Sequence, residues 1–200
     1  MTLPTSLLRS ALLLPLVFSL VTPSRAGMSF QVGSIGVAGD GGHDYITAEP
    51  GTGRLFLSRG THVMVLDAKG GQLLGDIPDT PRVHGVALVA KHGRGFTTNG
   101  GDSTVSVFDL KTLGVLERIA VPVGGLDGIM YDASTDRIVL TTHSHPGTAT
   151  FIDPATATVV GSVDLSDDAP EGAVSDGHGR LFVNNEHTST LQVIDQKSLK

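Results

Sequence analysis

The 200 residues suffice for one domain, or two at most, and carry a formal net charge of −6 with no cysteine and no tryptophan. The acidic balance repels phosphate backbones and argues against nucleic acid as the main partner, while the missing cysteines exclude disulfides, thiol chemistry and cysteine-attached haem. Aromatic residues, 4% of the chain, are too few for an aromatic-lined sugar cleft or a quaternary-ammonium cage.

Residues 1–26 read as a secretory signal. Arg9 and the amino terminus supply positive charge, Ala11 to Val21 form a short apolar run, and Thr22-Pro-Ser-Arg-Ala26 is a small-residue cleavage region. The run is too short for the roughly 20 residues that span a bilayer, and no later segment is long or apolar enough. Cleavage after Ala26 would leave residues 27–200 outside the cytoplasm, periplasmic or secreted, with no membrane span and a net charge of −8, since Arg9 and Arg25 are the only charged residues removed.

From there the chain repeats. Arg54-Leu-Phe, Arg94-Gly-Phe, Arg137-Ile-Val and Arg180-Leu-Phe stand 40, 43 and 43 residues apart. A hydrophobic run closing on aspartate follows each, ending at Asp67, Asp109, Asp153 and Asp195, with spacings of 42, 44 and 42. A third register is Leu74-Gly-Asp-Ile77, Leu116-Glu-Arg-Ile119 and Val160-Gly-Ser-Val163. Three registers sharing one period mark a repeated structural unit.

Each unit reads as four short strands, a to d. Strand a begins at Asp44, His84, Asp127 or Glu171, and Gly85, Gly128 and Gly172 follow directly in three units. Strand b starts at the repeated Arg. Strand c alternates, as in Thr104-Val-Ser-Val-Phe108, and strand d is the Leu-x-x-Ile register. The turns between a and b are rich in Gly and Asp, and those between c and d open on Asp. No stretch offers a convincing amphipathic helix. Four-stranded units of 40–45 residues that must bury both faces against their neighbours are propeller blades, so the expected fold is all-β, a β-propeller with about four blades present.

Phe96-Thr-Thr-Asn99 and Phe182-Val-Asn-Asn185 close strand b, with Leu55-Phe-Leu-Ser58 and Val139-Leu-Thr-Thr142 as looser versions. In these motifs, from about residue 30 to the end, the chain resembles the YVTN-repeat propellers of exported bacterial proteins. The resemblance implies architecture more than function, and it implies a seven-bladed ring of which four blades are present here. Val32-Gly-Ser-Ile35 matches Val160-Gly-Ser-Val163 and stands one period before Leu74. It is a strand d without its own a, b and c: pairing with strand c of the last blade, at Leu191–Asp195, would close a four-bladed ring, whereas in part of a seven-bladed ring, the expectation here, it is unpaired or loosely placed.

In this architecture the d–a and b–c loops open on one face and the a–b and c–d turns on the other. Six of the eight histidines fall on the first face, and only His92 and His178 on the second. Asp44, His84, Asp127 and Glu171 sit nine or ten residues before the repeated Arg, at the start of the inner strand. His62, Asp102, His145 and His187 sit seven or eight residues after it, in the b–c loops. The candidate ligand-binding residues are therefore Asp44, His84, Asp127, Glu171, His62, His145 and His187. They admit a scaffold that binds a small molecule or protein on this face, or a metal-dependent, lactonase-like hydrolase using Asp44, Asp127, Glu171 and His84. A third reading, a redox partner, lacks any cofactor attachment site. The alternative to all three is that inner-strand polar groups satisfy backbone and loop histidines are solvated. No catalytic residue, bound metal or cofactor is assigned. Finally, antiparallel pairing of b with c puts each repeated Arg opposite the repeated Asp, so salt bridges are expected for Arg54–Asp67, Arg94–Asp109, Arg137–Asp153 and Arg180–Asp195.

Overall fold

The structure, a computed structural model, describes residues 32–165 and 169–200; the segment read as a signal, residues 1–26, lies outside the described residues. Ile35–Lys200 forms one unit; Val32–Ser34, the described part of the other, is exposed. No helix among the described residues is long and apolar enough to cross a membrane.

The fold is all-β and built of propeller blades. The first sheet is β1 (Ile46–Ala48), β2 (Arg54–Ser58), β3 (Val63–Asp67) and β4 (Leu73–Ile77). The second is β5 (Val83–Val89), β6 (Arg94–Asn99), β7 (Thr104–Asp109) and β8 (Val115–Ala120). The third is β9 (Leu126–Asp132), β10 (Arg137–Thr142), β11 (Thr148–Asp153) and β12 (Thr158–Asp164), and the fourth β13 (Pro170–Ser175), β14 (Arg180–Asn185) and β15 (Thr190–Asp195). Each is an antiparallel meander in chain order. Strand b begins on the repeated Arg and strand c ends on the repeated Asp in all four sheets.

Burial follows position in the stack. The middle strands β6 and β7 are buried on both faces because a blade covers each side, so their cores run unbroken, whereas the outer strand β8 is largely exposed. One cluster around Phe56, Val86 and Phe108 joins blades one and two; others around Phe96 and Leu140, and around Phe151 and Leu181, join two to three and three to four. Strand β15 has the same sequence pattern as β7, yet Leu191 and Val193 are exposed, because among the described residues nothing packs on that side of the fourth sheet.

Two expectations need correction. Val32–Ile35 forms no strand d, and the fourth sheet stops at β15 among the described residues, so the pairing with Leu191–Asp195 is not made and the unpaired alternative holds. The side chain of Ile35 instead covers Gly71 in the β3–β4 turn, where any Cβ would collide with it. The register of the Arg–Asp pairs is as expected, with Arg54 opposite Asp67, Arg94 opposite Asp109 and Arg180 opposite Asp195, but no salt bridge joins them. The aspartates cap their own turns: Asp109 Oδ1 accepts from the Lys111 and Thr112 amides, Asp153 Oδ1 from Ala155 and Thr156, and Asp195 Oδ1 from Lys197 and Ser198. These local hydrogen bonds, Thr112 first, hold the Asp109 carboxyl below the usual carboxylate range. The arginines reach sideways into the next blade. Arg54 donates to Leu110 O, Arg94 to Ala155 O and Arg137 to Gln196 O, all in the turn that the next blade's aspartate caps. The repeated pair is thus a staple between blades, Asp shaping the turn and Arg holding it.

Candidate functional site

The inner strands β1, β5, β9 and β13 lie beside one another in succession, so equivalent residues at their starts are brought together. Asp44 lies just before β1, and His84, Asp127 and Glu171 are each the second residue of their strands. His84 Nδ1 is 2.7 Å from Asp44 Oδ2 and 3.7 Å from Asp127 Oδ1. On the far side of Asp127, His143 Nδ1 is 3.9 Å from Asp127 Oδ2 and 3.6 Å from Glu171 Oε2. Tyr45 donates its hydroxyl to Glu171 Oε1 at 3.0 Å. Three carboxylates and two imidazoles therefore alternate around Asp127.

The strand-b motif holds them there. The Thr98 hydroxyl donates to Asp127 O at 2.6 Å in the next blade and accepts from the Gly85 amide, beside His84, at 3.0 Å. Thr141 occupies the same position one blade on and donates to Glu171 O at 3.1 Å; Asn184 occupies it again and accepts from Gly172 N at 2.8 Å. Glycine follows the site residue because the next blade approaches closely. A Cβ on Gly128 would lie 2.4 Å from Thr141 Oγ1 and 2.7 Å from Glu171 O. Beside these strand starts lies a cavity of about 280 Å³ bordered by Tyr45, Thr47, Gly85, Gly128, Ile129 and Glu171.

Burial raises the Asp127 carboxyl above its ordinary range, against the pull of His84, and the Glu171 and Asp44 carboxylates add to the rise. Tyr45 is raised too, by burial, by its hydrogen bond to Glu171 and by the surrounding carboxylates. The phenol therefore stays protonated and acts as a fixed donor. Such an arrangement can hold a cation, or accept and donate protons on a bound molecule.

Of the seven sequence candidates, Asp44, His84, Asp127 and Glu171 converge. His62 does not: it borders a separate hollow with Met64 and Asp76. His145 and His187 line a small hollow of about 200 Å³ with His143 between the b–c loops of blades three and four. Tyr45 and His143 were missed. Of the opposite-face histidines, His92 has a structural role. His92, with Lys91 and Tyr131, converges on Asp136 across blades two and three, and the Lys91 hydrogen bond leads those that hold the Asp136 carboxyl down to about 2. His178 contributes its backbone amide, which donates to Asp176 Oδ1 in the β13–β14 turn.

No protein-family model matches the chain, and no curated protein matches it. Among solved structures it is similar to Kuenenia stuttgartiensis hydrazine synthase, with a TM-score of 0.73 at 19% identity, over 85% of this chain and 50% of that one. The chain thus spans about half the length of that protein. The likeness is one of fold. It supports the propeller arrangement of blades and carries no activity across.

Proposed function

We propose that this chain is an exported propeller of the YVTN type that binds a small polar molecule on the face carrying the d–a and b–c loops. One observation carries the reading: Asp44, His84, Asp127, His143 and Glu171 come from four successive blades and meet beside a cavity of about 280 Å³. Ligand sites of this kind combine a concave, largely preformed wall with a few convergent polar groups. The wall here is strand backbone, Val86, Ile129 and Met130, and Tyr45 and Glu171 are the site's polar groups on it; the imidazoles and the Asp44 and Asp127 carboxylates cluster with Glu171 outside that lining. A second reading, metal-dependent hydrolysis of a lactone-like ester, is favoured by the interleaving of imidazoles with carboxylates, the donor mixture of catalytic metal sites.

The test is amide chemical-shift mapping on protein recovered from the exported fraction. The probes are a panel of small hydroxy acids, amines and lactones, with a chelator present. Binding on this face moves the Gly85, Gly128 and Gly172 amides and loses that response in Glu171→Gln. Shifts gathered around His92 and His178, or none at millimolar probe, overturn the reading.

A further inference from the structure

His143 stands in an unusual relation to its two carboxylates. Its Nδ1 lies 3.6 Å from Glu171 Oε2 and 3.9 Å from Asp127 Oδ2, beyond hydrogen-bond range for both. His84 differs: its Nδ1 is already engaged with Asp44 at 2.7 Å. Ligand atoms about 2.0–2.2 Å from a tetrahedral ion lie about 3.4 Å apart, which is close to the spacing around His143. The three donor atoms all fall within 4.8 Å of one another.

The backbone that carries the three side chains is also held. Thr98 fixes the Asp127 carbonyl, Thr141 fixes the Glu171 carbonyl, and the His143 amide donates to Gly125 O at 2.8 Å. Tyr45 occupies the second oxygen of Glu171, leaving Oε2 to face His143. The second oxygen of Asp127 faces His84, so Oδ2 is the one aimed at His143. The Tyr45 hydrogen bond to Glu171 is an outer contact of the kind that orients ligand side chains at metal sites.

We propose that Asp127 Oδ2, His143 Nδ1 and Glu171 Oε2 hold one divalent transition-metal ion of the zinc class, with at least one coordination position left open. The proposal rests on the reading that this face is the binding face, and deepens it by naming a ligand. One imidazole with two carboxylates suits zinc, manganese or cobalt better than calcium, which takes six to eight oxygens. Three protein ligands with a vacant position is the pattern of sites where the metal meets a further molecule. Glu171 also borders the cavity, so that molecule would sit beside the ion. The ion relieves the repulsion among Asp44, Asp127 and Glu171 that burial sharpens.

The test uses the full mature chain, stripped with chelator, dialysed, and titrated calorimetrically with zinc chloride and then with calcium chloride. One zinc per chain is expected, with calcium at least about 100-fold weaker. Glu171→Gln, which keeps shape and removes the charge, and His143→Ala should each weaken zinc at least about tenfold. His92→Ala, on the opposite face, should leave it unchanged. Thermal melts confirm that each variant is folded; if His143→Ala is not, Glu171→Gln decides. No stoichiometric zinc, a preference for calcium, or a loss in Asp44→Asn as large as in Glu171→Gln overturns the proposal. The probe mapping was set in chelator so that the two ideas fail separately: probes that bind without zinc leave the face reading standing whatever zinc does.

Discussion

Replacing Arg54 by alanine tests the staple between blades. Arg54 grips Glu49 with two parallel bonds, Nε to Oε2 at 2.6 Å and Nη2 to Oε1 at 2.8 Å, while Nη1 donates to Leu110 O at 2.8 Å in the second blade. Its guanidinium lies 5.4 Å from the Phe56 ring centre. The Glu49 side chain is only 9% exposed with Arg54 over it, so truncation leaves a partly shielded carboxylate without its cation and the buried Leu110 without this donor on its carbonyl. Charged hydrogen bonds contribute about 1.5–3 kcal/mol each way, and a partly exposed cation–π contact about 0.5–1 kcal/mol. Because these share one side chain they do not add in full, and the expected loss is about 2–3 kcal/mol. Arg180 is the internal control. It stands at the equivalent position, but its side chain is 62% exposed, its partner Asp176 lies in its own blade, and it has no bond to another blade among the described residues.

The assay is urea unfolding followed by far-ultraviolet circular dichroism. Arg54→Ala should lower the midpoint clearly with little change in slope, and Arg180→Ala should barely move it. Adding Glu49→Gln to Arg54→Ala should recover about half of the loss, by removing the stranded charge. Equal shifts for Arg54→Ala and Arg180→Ala would refute the staple, since the arginine would then act only within its own blade.

Two further predictions concern the site. Asp127 is held above the ordinary carboxylate range, so the folded chain keeps its proton to a higher pH than the unfolded chain does. The stability this gives is complete below the unfolded value of about 3.9, is lost as pH rises from there to the folded value, and stays lost above it. In chelator, Asp127→Asn should therefore melt higher than the parent at neutral pH, with the gap closing below about pH 4; a variant that melts lower at neutral pH sinks the idea. Gly128→Ala drives a Cβ into Thr141 Oγ1 and Glu171 O, so it should cost about 1–3 kcal/mol and weaken zinc binding without replacing a ligand. Gly124→Ala, with no atom within 4 Å of the added Cβ, is its control. Parent-like melting and zinc affinity in Gly128→Ala would show that the inter-blade contact does not position Glu171.

The blades were legible because three registers share one period and mark the start of strand b, the end of strand c and the body of strand d. Arg54, Arg94, Arg137 and Arg180 open strand b, and Asp67, Asp109, Asp153 and Asp195 close strand c, as the pattern required. What pairing register does not determine is where long side chains go. Asp109, Asp153 and Asp195 each meet two amides two and three residues away, and Asp67 meets the Gly70 amide, local bonds that fix few torsions, and the arginine, the longer side chain, is left to reach the next blade. That neighbour belongs to tertiary structure, and its carbonyl has no signature in the sequence.

The site divides in the same way. His84, Asp127 and Glu171 were legible because they occupy one column of the repeat at the inner-strand start, where consecutive blades bring a column together. His143 was missed because the b–c loops were aligned by distance from the repeated Arg, which selected His145. Those loops are not equal in length: residues 59–62, 100–103 and 186–189 have four positions, but 143–147 has five, including Pro146. Aligned on the first loop position, the column reads Arg59, Gly100, His143 and Glu186; in blades two and three this position adjoins the site, while Arg59 turns to His43 and the Asp40 carbonyl. At Gly100 a Cβ would lie 2.7 Å from His84 Nε2, so the missing side chain leaves room for that imidazole. One blade on, the same position supplies an imidazole of its own, and the inserted residue follows it in the chain. His143 stands six residues after Arg137, as Gly100 and Glu186 stand after Arg94 and Arg180, so the first loop position was countable from the Arg as well; the offset of seven or eight residues passed over it and landed on His145.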